Sequence, residues 1–482
     1  MLIACIIFPL LAILRVSSIP STSPEKLWSS SLRFSTFSFV LVTLLWSSQS
    51  WSFIGKPICF SIVEPLLNAL PLGPLESISL EIDSLSCSLI VLSYFLIPLC
   101  IIISKDSIKI LIKEFCIILF LTEIILGVVF SVSDLILFYI FFEGTLIPLF
   151  IIIGVWGSRE EKIKAAFYFF IFTLVGSLFM LLSIFKIYSL TGVSSLSTLS
   201  SLSIPPEWEL WVASGLVLGL AIKVPMFPAH IWLPQAHVEA PVAGSVLLAG
   251  IMLKLGGYGL IKFCWGIVPV GMSSISPLLI TVSVLGVLYG GLLTCRQSDM
   301  KRLIAYSSVA HMGIVTAAIF NEDLISRLGG IFMMLAHGIV SSSLFIAVTF
   351  LYSRSGSRLI RFHRGIAAGM PLFCSAFVIL NLANMALPLS SNFIAEFISI
   401  VGIFREHPLI TMLLASGVVI SAVYSLLLVN RVCFGSPNKF LISVRDTNRL
   451  EFITLIIFLI PAYQLGIFPS WVLNQLQSSS FF

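Results

Sequence analysis

Charge is scarce in this chain: 10% of its 482 residues are Asp, Glu, Lys or Arg, against 58% hydrophobic, and the mean hydropathy is +1.10. That shortage excludes an ordinary water-soluble globule, which could not cover so much apolar side chain. No long polar stretch offers room for a soluble catalytic domain. No GxGxxG element or P-loop is present, which argues against a nucleotide site. The nine cysteines form no CxxC pair and no cysteine-histidine run at zinc spacing, so neither an iron-sulfur cluster nor a structural metal is indicated. His230 and His237 lie among prolines without a carboxylate-rich cage, and interfacial roles are expected for them. The opening MLIACIIFPLLAILRV has neither a basic secretory lead nor an Arg/Ser-rich presequence and reads as a retained first span. Such a start suits synthesis in the compartment where the protein inserts.

What is abundant is long apolar sequence. Each crossing needs roughly 20 apolar residues, folded as helix so that the backbone satisfies itself. Hydropathy predicts an all-α polytopic membrane protein with fourteen helices, near 1–17, 34–51, 84–104, 112–131, 133–155, 166–188, 210–234, 240–262, 275–295, 303–320, 327–350, 371–400, 409–431 and 451–469. The loops after odd-numbered helices carry 19 basic residues and those after even-numbered helices only Lys56, Arg327 and Arg405. This bias places the odd loops on a cytoplasm-like face and both termini opposite. Polar stretches at 52–83, with Glu64, Glu76, Glu81 and Asp83, and at 189–209 are expected to be surface loops with short interfacial helices.

Two predicted helices are interrupted. In the seventh, GLVLGLAIKVPMFPAHIWLPQAHVEAP, Pro225 and Pro228 remove amide donors and clash with the preceding turn, so the helix should bend or unwind just beyond Lys223. In the twelfth, NLANMALPLSSNFIAEFISIVG, Pro388, Ser390, Ser391 and Asn392 make a second polar break one turn before Glu396. Breaks five spans apart suggest two five-helix units of inverted topology, as in transporters. The expected divisions are 1–111 for the first three helices, 112–262 and 263–431 for the repeats, and 432–482 for the last loop and helix.

Ionisable side chains in apolar surroundings are costly and mark ion or proton pathways. Glu143, one turn after Tyr139, is expected to form a switchable pair with Lys223. Lys254 lies among Gly250, Gly256, Gly257 and Gly259, which permit close helix approach. His311 and His337 share helical faces with Ser307 and Ser341 and can relay protons. Glu123 is expected at an internal or subunit interface, coupled to Glu143 or to a neighbouring subunit. Lys262 is expected to snorkel at the membrane edge. Asp134, Asp299, Glu322 and Asp323 fall at span ends, where solvation explains them.

The segments FFEGTLIPLF, IKVPMFPAHIWLPQAHVEAPVAGSVLLAGIMLKLGGYGL, KRLIAYSSVAHMG and SSNFIAEF resemble the antiporter-like membrane subunits of mitochondrial NADH:ubiquinone oxidoreductase (respiratory complex I), within them the subunit 4 family. The resemblance runs over nearly the whole chain, and the serine-rich 189–204 loop looks like the plant form. It implies proton translocation driven by remote electron transfer, with fourteen core helices and two inverted repeats. On this resemblance Glu143 and Lys223 match a glutamate-lysine pair, Lys254 a central lysine, His311 and His337 the onward relay, Glu396 the terminal acid, and Glu123 an additional acid that influences coupling. It also implies that this chain itself binds no cofactor, the NADH, FMN, iron-sulfur clusters and ubiquinone of the complex belonging to other subunits. Implied partners are other membrane-arm subunits, especially neighbouring antiporter-like ones, accessory subunits and membrane lipids including cardiolipin, with no nucleic acid. The implied location is the mitochondrial inner membrane with the basic loops toward the matrix. A plastid NDH or cation/proton antiporter subunit, or a structural membrane subunit that conducts no protons, are the alternatives.

Overall fold

A computed structural model describes residues 2–52, 58–61, 79–437 and 445–477. The described helices, in order, are α1 Leu2–Ser18, α2 Pro24–Ser52, α3 Ser84–Ser107, α4 Ile112–Val129, α5 Leu135–Trp156, α6 Lys162–Thr191, α7 Pro206–Lys223, α8 Trp232–Glu239, α9 Val242–Ile267, α10 Pro269–Cys295, α11 Met300–Phe320, α12 Leu324–Ser355, α13 Pro371–Asn384, α14 Ser391–Glu406, α15 Pro408–Cys433, α16 Arg449–Ile467 and α17 Ser470–Gln477. Nine of these are long and apolar enough to cross a membrane, and Cys5–Ser18 and Pro371–Asn384 are shorter apolar helices. The start of α2 lies well before the expected residue 34. Hydropathy missed it because Glu25, Lys26 and Arg33 dilute its first turns, yet Pro24 suits a helix start and Arg33 Nε bonds the Ser29 carbonyl at 3.1 Å.

Composition sorts the helices into inner and outer. α9 and α12 are buried along their apolar windows and α3 and α11 nearly so, whereas α6, α10, α15 and α16 keep one side outward. The inner helices carry glycine and serine, which let backbones approach and hydrogen-bond. The outer ones turn bulky residues such as Phe167, Leu178, Phe185, Leu409 and Val419 away from the bundle. α10 packs on α11, α6 on α7, and α12 on α14, so the buried helices sit within a shell of neighbours.

Asp134, Asp299 and Asp323 are helix caps as well as span-end residues. Their carboxylates accept from Ile136 N and Leu137 N (both 2.9 Å), from Lys301 N (2.8 Å) and from Ile325 N (3.3 Å). The serine-rich segment after α6 holds one helical turn, Leu196–Leu199, and docks on the start of α5 through Ser194 Oγ to Asp134 and Leu135 N to the Ser194 carbonyl. Within 52–83 the described part is a two-stranded antiparallel ladder, β1 Ile58–Ser61 against β2 Ser79–Ile82, with Ile58 opposite Ile82, where interfacial helix was expected. Alternation in SLEI at 79–82 fits a strand. Lys56, Glu64, Glu76 and Lys439 lie outside the described residues.

Candidate functional site

α7 stops at Lys223 and α8 begins at Trp232, while α13 stops at Asn384 and α14 begins at Ser391. The second interruption contains residues with positive φ, Ala386 (60°) and Leu389 (81°). Such backbone persists only where surrounding packing holds it, and it concentrates at functional sites. Here Gly466 on α16 lies against the second interruption, with a built Cβ only 2.1 Å from the Leu389 carbonyl oxygen.

At the first interruption Lys223 Nζ donates to the Phe142 carbonyl at 2.7 Å and to Thr145 Oγ1 at 3.3 Å, and lies 3.2 Å from the centre of the Phe142 ring. These partners belong to α5, which also carries Glu143. The two charged groups are neighbours but do not form a salt bridge among the described contacts. Ser177 on α6 donates to the Leu174 carbonyl at 2.8 Å, and Glu143 Oε1 has no hydrogen-bond partner among the described residues.

Glycine then sets the distance to the centre of the molecule. A Cβ on Gly256 of α9 would meet Val224 Cγ2 at 2.4 Å and the Leu220 carbonyl at 2.8 Å, so only glycine lets α9 lie against the end of α7. On the other side, a Cβ on Gly338 of α12 would meet the Gly250 carbonyl at 3.0 Å. Between these approaches, residues 248–252 wind as π-helix, a form that recurs at functional sites. The Lys254 ammonium reaches back five residues to the Ala249 carbonyl and contacts His337 Nδ1 at 2.9 Å.

The line continues without a break in burial. The His337 and His311 rings lie 5.6 Å apart, His311 Nδ1 donates to Glu396 Oε1 at 3.0 Å, and Tyr424 Oη is 3.3 Å from His311 Nε2. Lys254, His337, His311 and Glu396 are at most 2% exposed. Four side chains from α9, α12, α11 and α14 are therefore in one chain of contacts. Ser307 bonds the Ile304 carbonyl and Ser341 the His337 carbonyl, so neither serine serves an imidazole. Glu123 stands apart. It accepts from Ser38 Oγ of α2 at 2.9 Å, an interface within the chain, rather than joining Glu143.

Several further groups were not expected inside. His237 is fully buried, stacks on Phe345 at 4.5 Å and 5°, has neither ring nitrogen bonded among the described residues, and is linked to Lys301 through Ser245, whose Oγ donates to the His237 carbonyl at 3.1 Å. Lys301, read from the sequence as a loop charge, is buried and donates to the Ala240 carbonyl at 3.0 Å and Ser245 Oγ at 3.4 Å. Arg358 is buried as well, bonding the Val238 carbonyl and lying 3.8 Å from Glu239. Glu239 lines a polar cavity of about 180 Å³ with Gln235 and Arg302. The prolines around His237 suggested an interface; α8 in fact turns back into the bundle, carrying the imidazole with it. His230, by contrast, keeps to aromatic surroundings, Phe227, Tyr289 and Tyr306. Lys262 does not snorkel: it is buried and salt-bridged to Asp83 at 2.9 Å, because residues 79–83 fold back over the end of α9. Among the described residues no group of three or more His, Cys, Asp or Glu could hold a metal ion.

An all-α membrane bundle threaded by lysine, histidine and glutamate is an antiporter-like arrangement, and residues 132–422 match the family described as NADH:quinone oxidoreductase/Mrp antiporter, TM. A chain in the structure of respiratory complex I from Thermus thermophilus with bound NADH has the same fold, with TM-score 0.87 and 26% identity over 100% of this chain and 99% of that one. The NADH-ubiquinone oxidoreductase chain 4 of Metridium senile is 47% identical over 98% of this chain and 96% of its own length, and that of Marchantia polymorpha 42% identical over 98% and 95%. The chain belongs to the NADH-ubiquinone oxidoreductase chain 4 family, and it is a multi-pass protein of the mitochondrial inner membrane.

Proposed function

We propose that this chain is a proton-translocating membrane-arm subunit of NADH:ubiquinone oxidoreductase, moving protons along the buried line while electron transfer from NADH to ubiquinone proceeds in other subunits. The observation that carries the reading is the contact series Lys254–His337–His311–Glu396. A proton leaving the Lys254 ammonium can enter His337 at Nδ1 and exit at Nε2, since an imidazole accepts at one nitrogen and releases at the other. Passage to His311 takes a bridging water or a small ring rotation, and His311 delivers to Glu396. Glu143 and Lys223 form the other end, close but unpaired, where approach and separation alternately stabilise and release charge. Glu123 acts on this end only through α2 and α4, as a coupling residue.

Support also comes from polar atoms without a hydrogen-bond partner among the described residues: His337 Nε2, Glu396 Oε2, Ser391 Oγ, both amide atoms of Asn392 and both nitrogens of His237. An unmade buried hydrogen bond costs about 1–3 kcal/mol, so this concentration suits a line that takes up water. His237, Ser245 and Lys301 lie between the line and the Glu239 cavity, joined by Ser245 Oγ, and we assign them to exchange with the basic side.

The positive-inside bias then orients the odd-numbered loops to the matrix and both termini to the intermembrane space. In the same reading the helices make fourteen crossings, with α7–α8 and α13–α14 each a single interrupted span, and 112–262 and 263–431 are inverted repeats between 1–111 and 432–482. Partners are the neighbouring antiporter-like and accessory subunits, and lipids such as cardiolipin. Identity of 47% across 98% of the chain favours this function over a plastid or cation/proton antiporter subunit. The plant affinity read from the 189–204 loop draws on the Marchantia polymorpha match and is opposed by the higher identity to Metridium senile.

The test is Lys254→Met in the assembled complex, reconstituted in liposomes. Fewer protons per electron pair at normal assembly is expected. An unchanged ratio leaves the bundle as structural membrane protein.

A further inference from the structure

The loop after α12 and the ends of α10 and α15 enclose a cavity of about 750 Å³, lined by Arg361, Arg364 and Arg431 together with Gln297 and Asn430. Its described lining contains no carboxylate, so the three exposed arginines make it a positively charged recess.

The loop presenting two of these arginines is firmly built. Between them His363 is buried, with Nε2 2.8 Å from Ser355 Oγ and Nδ1 3.0 Å from the Leu359 carbonyl. Ile360 N bonds the Ser298 carbonyl and Met300 N the Arg358 carbonyl, tying the loop to the start of α11. Gly365 (φ 69°) sits where a Cβ would come 2.7 Å from the Gly435 carbonyl, and Gly435 (φ 99°) sits where one would come 2.9 Å from Arg364 Nε. Both glycines are thus needed to close the loop on the tail of α15 and to lay the Arg364 side chain across it.

The cavity also adjoins exposed apolar side chains. Val423, Leu427 and Arg431 follow one another along one face of α15, Phe434 lies just past its end in the cavity lining, and Val423, Leu427 and Phe434 are 46%, 36% and 52% exposed. An exposed apolar stripe therefore leads away from the arginines along α15. Guanidinium forks match phosphate oxygens, and basic pockets between spans on the basic side attract acidic headgroups.

We infer that this cavity is a headgroup site for an acidic phospholipid, its phosphodiester held by Arg361, Arg364 and Arg431 and its acyl chains lying along Val423, Leu427 and Phe434. A free phosphate would use the arginines but gain nothing from the stripe. The site lies apart from the buried line, so its failure leaves the proton reading untouched.

The experiment uses the intact complex in phosphatidylcholine nanodiscs containing a trace of phosphatidylglycerol or phosphatidylcholine with a photoreactive acyl chain. Peptide mapping after illumination should place adducts within 423–434, with the acidic probe favoured by at least about fivefold for each arginine engaged. Excess inorganic phosphate should leave the adduct in place. Arg361→Gln with Arg431→Gln should abolish the preference while Arg361→Lys with Arg431→Lys retains part of it. Equal labelling by the two probes would overturn the inference by showing bulk lipid, and so would displacement by phosphate. Absence of adducts with the segment cross-linked to another subunit would overturn it equally. The comparison of probes needs no variant, so a substitution that prevents assembly does not shield the idea.

Discussion

Replacing Glu396 by glutamine tests the buried line at its narrowest support. The carboxylate accepts from His311 Nδ1 at 3.0 Å, and the two side chains are only 3% and 1% exposed. Glutamine is nearly isosteric, and its amide oxygen can accept the same bond. What changes structurally is a charge-assisted bond of about 1.5–3 kcal/mol becoming a neutral one of about 0.5–1.5 kcal/mol, a loss of about 1 kcal/mol. Against a typical stability of about 5–15 kcal/mol that leaves the fold and the assembled complex largely intact. The functional loss is of another order. An amide cannot take up a proton in the working range, and a positioned proton-transfer group contributes about 10²–10⁴-fold to its step. Flux through this chain should fall at least about 100-fold, lowering protons moved per electron pair by the share this chain contributes. Glu396→Asp, which keeps a carboxylate one methylene shorter, should retain part of the flux. The measurement is proton uptake against NADH oxidation by purified complex in sealed liposomes, with assembly checked by native electrophoresis. An assembled Glu396→Gln complex with the wild-type proton-to-electron ratio refutes the reasoning.

Gly256→Val places new methyl groups against Val224 and the Leu220 carbonyl, and overpacking of this kind costs about 1–3 kcal/mol. Assembled complex should fall and its thermal midpoint drop, which blue-native gels and a melting assay read. Lys262→Met strands a buried Asp83 carboxylate, a loss of about 3–5 kcal/mol for a broken buried pair, whereas Lys262→Met with Asp83→Asn should recover much of it; steady-state abundance of the two variants tests the ordering. Outside the membrane, burial holds the His363 imidazole below its ordinary range, so the folded loop prefers the neutral form. Below about pH 6.5 the unfolded loop binds more protons than the folded one. Stability present at neutral pH is therefore lost as the pH falls toward the depressed value. Limited proteolysis of the 356–370 segment should accelerate on acidification, and His363→Gln should flatten that response.

Much of the molecule is written in the order of its residues. Apolar runs of span length dictate helices, because backbone in hydrocarbon has no other way to satisfy its hydrogen bonds. Pro225 lies just past the point where α7 ends, and Pro388 with Ser390 lies inside the gap between α13 and α14, since proline can neither donate nor fit the preceding turn. A charge within an apolar run, as at Lys254 or Glu396, announces itself by its cost. These are local facts, legible one segment at a time. Which groups meet is not local. Glycines at 250, 256 and 338 allow approach but name no partner, so only the packed helices decide that Lys254 touches His337, that Lys223 rests on the Phe142 carbonyl rather than on Glu143, and that Glu123 answers to Ser38. Lys262, Lys301, Arg358 and His237 mark the same limit. Near a span end a charged side chain reads as solvated, and it becomes buried only when a distant segment, such as 79–83 over Lys262, folds across it. Hydropathy measures what a segment prefers against water or lipid; the third solvent, the rest of the protein, exists only after the chain has folded.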